Sequence, residues 1–194
     1  MVRVSKGSSS KQDYSTPGDF IAAVIKRFGP IGFDLAAHRF NTKAPIYYAP
    51  PEHEGLDVHL GLEPCFGYDA LKQNWAQAAE AAHGNALWLN PEFRRIAPWA
   101  QKCLISVPDL LPDQLLLFLV PASVGSDWFE KYVFGNAYVI FLNGRLCFDG
   151  IELYPKDCLL AVYGHEPGFE VWKWRQDKRT RVWYIPDEQE VQVG

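Results

Sequence analysis

The sequence predicts an α/β protein with a largely parallel sheet covered on both faces by helices, and three observations carry that expectation. Short apolar runs recur as IGFDLAA (31–37), ALWLN (86–90), LLLFLV (115–120), AYVIFLN (137–143) and CLLAVYG (158–164). Runs of that length and composition suit strands buried on both sides. Helix-compatible stretches lie between most of them, as in repeated strand–helix–strand units. After residue 168 the pattern changes: FEVWKWRQDKRTRVWYI alternates apolar and polar residues about a polar turn, as a C-terminal antiparallel hairpin does.

Taken in order, residues 1–12, with SKGSSSK, have the composition of a flexible N-terminal arm, and residues 187–194 read as a flexible tail. The interval 13–186 is the length of one ordinary domain. Ser15, Thr16 and Pro17 form a helix-start signal ahead of DFIAAVIKRF, which Gly29 and Pro30 end. IGFDLAA then reads as a buried strand that stops at an acidic residue. From Pro50 to Asp69 there are acidic residues at 52, 54, 57, 63 and 69 but no Lys or Arg, among several glycines and prolines. That stretch is expected to be a long loop, either a functional lid or an insertion. ALKQNWAQAAEAA (70–82) is helix-compatible, with Gly84 as its stop. The strand ALWLN meets NPEF, and RRIAPWAQKCLISV (94–107) follows as a helix that tolerates Pro98 only near its first turn. LLLFLV is a further strand, PASVGSDWFEKYVF a loop entering a helix, and AYVIFLNGRLCF a strand, a turn at Asn143-Gly144 and a short second strand.

The chain has 194 residues, 48% of them hydrophobic and 22% charged, enough to bury a sizeable core and too few charges for wholesale disorder. Its net charge of −4 supplies no global basic field, so a polyanion must meet a local patch. No apolar run approaches the roughly 18 to 20 residues of a membrane-spanning helix, and MVRVSKGSSSKQ lacks the apolar core of a signal peptide, so a cytoplasmic location without a membrane partner is expected. Cysteines at 65, 103, 147 and 158 form no CxxC pair and are expected to be buried reduced thiols. HEGLDVH, from His53 to His59, lacks the HExxH spacing and reads as a solvated loop, so no metal site is expected.

Ligands of open parallel sheets collect at the carboxyl ends of the strands, which directs attention to Asp34-Leu35-Ala36-Ala37, Asn90-Pro91-Glu92-Phe93 and Pro121-Ala122-Ser123. The second has a specific chemical use. The Asn90 side-chain oxygen and the Pro91 carbonyl can accept hydrogen bonds from a planar amino group, drawing its nitrogen toward a tetrahedral geometry and exposing the lone pair. An aromatic residue beside them offers a face to a flipped-out base. A nucleophile so held could attack a sulfonium methyl with no covalent enzyme intermediate. The same four residues also suit a strand-to-helix turn with a capping asparagine and a core phenylalanine.

The pieces YSTP (14–17), FDLAA (33–37), DALKQNW (69–75), LWLNPEF (87–93), LLFLVPAS (116–123) and FLNGRLCF (141–148) occur in the order seen in the phage-type Dam family of DNA adenine methyltransferases, which residues 13 to 165 resemble. The resemblance implies a Rossmann-like, S-adenosylmethionine-dependent methyltransferase fold and methyl transfer to the 6-amino group of adenine in double-stranded DNA, a modification that protects phage DNA from restriction. It places Tyr14, Thr16 and Pro17 in the segment lying against the cofactor's methionine part. It also puts Asp34 and Ala36 in the loop after the first strand, and Asp69 near the cofactor's adenosine. Physically, Asp34 can accept hydrogen bonds from the cofactor ammonium, while alanine lets the backbone approach closely. Asp69 serves equally well as a helix N-cap.

Asn90, Pro91 and Phe93 match the family's Asn-Pro-Pro-aromatic motif, with Glu92 in place of the second proline. A carboxylate there is costly unless exposed or paired, for which Arg94 and Arg95 are candidates. Glu92 can also act as a proton acceptor, redirect the site to another amine such as that of cytosine, or mark a fold that retains binding alone. Arg94, Arg95 and Arg145 flank family motifs, and Lys173, Arg175 and Arg179 are interleaved with tryptophans, a combination suited to phosphate contact and base stacking. The same interleaving describes a hairpin with its tryptophans in the core and its charges in water.

Overall fold

The computed structural model describes residues 15–54, 65–148, 153–177, 179 and 182–186. Tyr14, the expected arm and tail, and the central part of the acidic 50–69 stretch lie outside the described residues. The first helix, α1 (Gly18–Phe28), buries Phe20, Ile21 and Val24, which share one face at i, i+1 and i+4 spacing. It takes Pro17 as its N-cap with no side-chain hydrogen bond, and ends at Gly29, whose φ of 85° suits only glycine without strain. The hydroxyls of Ser15 and Thr16 are therefore not caps, contrary to the sequence reading.

Among the described residues ten strands follow: β1 (Ile31–Asp34), β2 (Ile46–Ala49), β3 (Gly67–Tyr68), β4 (Ala86–Leu89), β5 (Leu116–Pro121), β6 (Tyr138–Asn143), β7 (Cys158–Tyr163), β8 (Gly168–Lys173), β9 (Arg175–Gln176) and β10 (Trp183–Tyr184). The first eight form one sheet in the order 3-2-1-4-5-7-6-8, in which β7 alone runs against its neighbours. Strands β1, β4, β5 and β7 are buried at every position, as their unbroken apolar runs require. The helices α2 (Trp75–Ala81), α3 (Ile96–Ser106) and α4 (Asp127–Tyr132) cover one face over Phe33, Leu87, Leu89, Phe118 and Tyr163. Helix α1, with Trp172 and Trp174, covers the other over Trp88, Leu117, Leu119 and Ile140. The result is a Rossmann-like α/β fold with a mostly parallel sheet and helices on both faces, as the sequence predicts.

Several boundaries differ from expectation for physical reasons. Helix α2 starts at Trp75 rather than residue 70, because Asn74 caps it by accepting from the Ala76 N–H at 3.1 Å. The 50–69 stretch is not wholly loop: β3 pairs in parallel with β2, extending the sheet. RLCF does not form a strand after Gly144, since β6 already has β7 on one side and β8 on the other. The C-terminal region divides accordingly. Strand β8 joins the main sheet in parallel with β6, and only β9 and β10 form an antiparallel pair. Trp172 and Trp174 are 7% and 1% exposed and pack on Phe20 and Phe28, so their alternation with basic residues separates core from solvent and leaves neither ring to stack on a base.

All four cysteines are free; Cys103 and Cys158 are buried as expected, whereas Cys65 and Cys147 are half-buried. Among the described residues no helix is long and apolar enough to cross a membrane, and no group of three or more His, Cys, Asp or Glu could hold a metal ion.

Candidate active site

The chain runs outward through β1, β2 and β3, then returns to place β4 on the other side of β1. Connections diverge from that point, so a crevice opens between the carboxyl ends of β1 and β4. Asp34 ends β1 beside Trp88 of β4, and the Leu35 N–H donates to the Trp88 carbonyl at 2.8 Å. A cleft of about 580 Å³ lies over this junction, bordered by Thr16, Asp34, Ala36, Asp69, Asn90, Pro91, Glu92 and Arg95 among others. Residues from five separate parts of the sequence thus meet in one concavity of the size that holds a small-molecule cofactor.

Asp34 is 2% exposed. Its Oδ1 accepts from the Ala36 N–H at 3.2 Å and its Oδ2 from the Lys43 N–H at 2.9 Å, which closes the loop after β1. Burial raises its pKa from 3.8 to about 6, only partly offset by those two N–H groups and the Lys43 charge. An ionised carboxylate held this way gains from an incoming cation. Lys43 also reaches across to donate from Nζ to the Ser15 Oγ at 2.9 Å, tying this loop to the segment ahead of α1.

On the opposite side, Asn90 donates from Nδ2 to the Thr16 Oγ1 at 3.0 Å. Pro91 is buried and Glu92 exposed, so the Glu92 carboxylate carries little desolvation cost. Among the described residues Glu92 makes no ion pair with Arg94 or Arg95; both arginines are exposed and only Arg95 borders the cleft. Phe93 departs from the simplest expectation. Its half-buried ring packs against Tyr154 and Phe148, with centroids 5.4 and 5.9 Å away, and does not border the cleft.

Asp69 follows β3 with φ 54°, an uncommon conformation for a residue with a side chain, and its Oδ2 pairs with Lys72 Nζ at 2.7 Å. It borders the cleft and is not a helix cap, a role that Asn74 fills. Pro17 lies outside the cleft lining as the N-cap of α1.

The basic residues converge by topology. Because β6 and β8 run parallel to β1–β5, Arg145, after β6, and Lys173, ending β8, occupy the same sheet edge as Asn90. Both are exposed, and Arg145 is 3.8 Å from Asp157. Arg175 is engaged, donating to the Asn143 carbonyl and to Asn143 Oδ1, the latter at 3.1 Å. Arg179 is exposed in the β9–β10 turn, its N–H donating to Asp177 Oδ1 at 2.9 Å.

Sequence reasoning missed His38, Asn41, Lys43, Tyr48, Glu52, His53, Trp88 and Trp99 as parts of the cleft wall. Burial pushes the Tyr48 hydroxyl up to about 12. The signal that could have found several of them is β2, an IYYA strand whose end must lie beside Asp34 once it pairs with β1.

No protein-family model matches the sequence, and no curated protein matches it closely enough to count as a relative. Among solved structures, the chain is similar to a modification subunit of a putative type I restriction enzyme from Vibrio vulnificus, with a TM-score of 0.44 and 10% identity. The match covers 91% of this chain, which spans half the length of that subunit.

Proposed function

We propose that this chain is an S-adenosylmethionine-dependent methyltransferase acting on the 6-amino group of adenine in double-stranded DNA, a mark suited to protection from restriction. The observation that carries this reading is the meeting of Asp34 and Asn90-Pro91 in one cleft, at the point where the sheet order reverses. The residues fit the cofactor: a buried carboxylate suits an ammonium group, and Ala36 and Ala37 keep the wall of the cleft low. Bound there, S-adenosylmethionine supplies an electrophilic methyl group on a sulfonium.

The protein's own contribution is positional and electrostatic. Asn90 Oδ1 and the Pro91 carbonyl accept the two amine hydrogens and localise the nitrogen lone pair. The amine gains the methyl and loses one proton. Glu92, exposed at the same cleft, accepts that proton and passes it to solvent. Arg94, Arg95, Arg145 and Lys173, gathered at one sheet edge, contact phosphates, and Arg179 extends the basic surface toward the C-terminus. The exposure of Glu92 favours turnover over a decayed site, because the substitution leaves no unpaired buried charge.

The test is methyl transfer from labelled S-adenosylmethionine to adenine-containing duplex DNA by wild type and Asn90→Ala. Label in DNA with wild type and none above background with the variant supports the reading. Equal label with both proteins, or none with either, defeats it.

A further inference from the structure

Thr16 precedes Asn90 by 74 positions, yet the two side chains meet in the fold. Thr16 is 3% exposed, so this contact is sheltered from competing water. A hydroxyl that accepts from Nδ2 leaves its mark on both halves of the planar amide: with the NH₂ directed at Thr16, the carbonyl oxygen is directed away from it. The flipped amide would turn Oδ1 toward Thr16 and its own N–H groups toward the target amine, where donor would face donor.

The segment bearing Thr16 is itself secured. The Ile21 N–H donates to the Pro17 carbonyl at 3.1 Å, closing the first turn of α1, and Lys43 Nζ donates to the adjacent Ser15. Lys43 in turn gives its backbone N–H to Asp34. A strap of two residues thus joins the acidic loop after β1 to the amide after β4.

We infer that Thr16 is a positioning residue that holds the Asn90 amide in the orientation that accepts the amine hydrogens; the inference rests on the reaction proposed above. Thr16 acts through Asn90 and needs no contact with the reacting atoms.

Thr16→Val keeps the shape of the side chain and removes the acceptor, whereas Thr16→Ser keeps the hydroxyl. In the full-length chain, Thr16→Val is expected to lower kcat about tenfold, well beyond any loss of affinity for S-adenosylmethionine, and Thr16→Ser to restore kcat to within about threefold. A second readout needs no turnover: the side-chain amide signals of Asn90 in nitrogen-15 NMR spectra, assigned by their loss in Asn90→Asp. These signals should shift in Thr16→Val and stay near their wild-type positions in Thr16→Ser. Unchanged Asn90 signals or unchanged kcat in Thr16→Val overturn the inference, as does a kcat loss matched by an equal loss of cofactor affinity. If wild type transfers no methyl group, the proposed reaction fails, and the amide signals still decide whether Thr16 orients Asn90.

Discussion

Replacing Asp34 with asparagine tests the electrostatic half of the site. Burial raises its pKa from 3.8 to about 6, so the fold holds the ionised carboxylate about 3 kcal/mol less favourably than water does. The sign follows from linkage. The folded value lies above the unfolded one, so the folded state binds the proton more tightly, and stability falls as pH rises from about 4 through 6. Asparagine does not titrate, but it can accept only one of the N–H groups of Ala36 and Lys43, a fixed cost of about 1–3 kcal/mol.

Urea denaturation of both proteins from pH 4 to 7 should therefore show their stability difference moving by about 2 kcal/mol in favour of Asp34→Asn as pH rises. Ligand binding adds a second prediction. The α-amino group of S-adenosylmethionine, with an ordinary value near 8, stays protonated over this range, so the ligand remains a cation. Affinity measured by calorimetry should be about tenfold weaker at pH 5 than at pH 7, with about half a proton released on binding at pH 6. The variant should bind weakly at every pH. A flat stability difference, or an affinity that ignores pH in wild type, refutes the assignment of Asp34 as the cation's partner.

Three further changes probe other parts of the site and fold. Glu92→Gln is expected to lower kcat about a hundredfold while leaving the cofactor Kd unchanged, and an unaltered kcat would remove Glu92 from proton transfer. Arg95→Ala should weaken duplex DNA binding uniformly across sequences and reduce the slope of log affinity against log salt by about one; an unchanged slope would take Arg95 off the phosphate backbone. Gly144→Ala should cost about 2 kcal/mol or more in chemical denaturation, because Gly144 has φ 137° and a Cβ there would strike the Trp174 carbonyl.

The sequence made the strand ends readable because Asp34 and Asn90 each terminate an uninterrupted apolar run, and the end of such a run is where a buried strand surfaces. What it hid is non-local. Thr16 before Pro17 looks like a helix cap from local pattern alone, and its partner lies 74 residues away, reached only when the segment ahead of α1 meets the residue that follows β4. Lys43, Tyr48 and His53 join the cleft through the parallel pairing of β2 with β1, a register no short-range spacing reveals. Phe93 was legible as an aromatic residue beside Asn90, but the direction of its ring is set by Phe148 and Tyr154, more than fifty residues further on. The tryptophans near the C-terminus show the limit of composition: beside Lys173 and Arg175 they resemble a nucleic-acid surface, and the packing against Phe20 and Phe28 makes them core.

The central claim is that Asn90 presents an adenine amine to a methyl donor held beside Asp34. Duplex DNA incubated with the full-length chain and S-adenosylmethionine, digested to nucleosides and analysed by mass spectrometry, tests it most directly. The expected product is adenine methylated on its 6-amino group with wild type, falling to background with Asn90→Ala. Methylation of cytosine instead, or DNA left unmodified while the protein binds the cofactor, would contradict it.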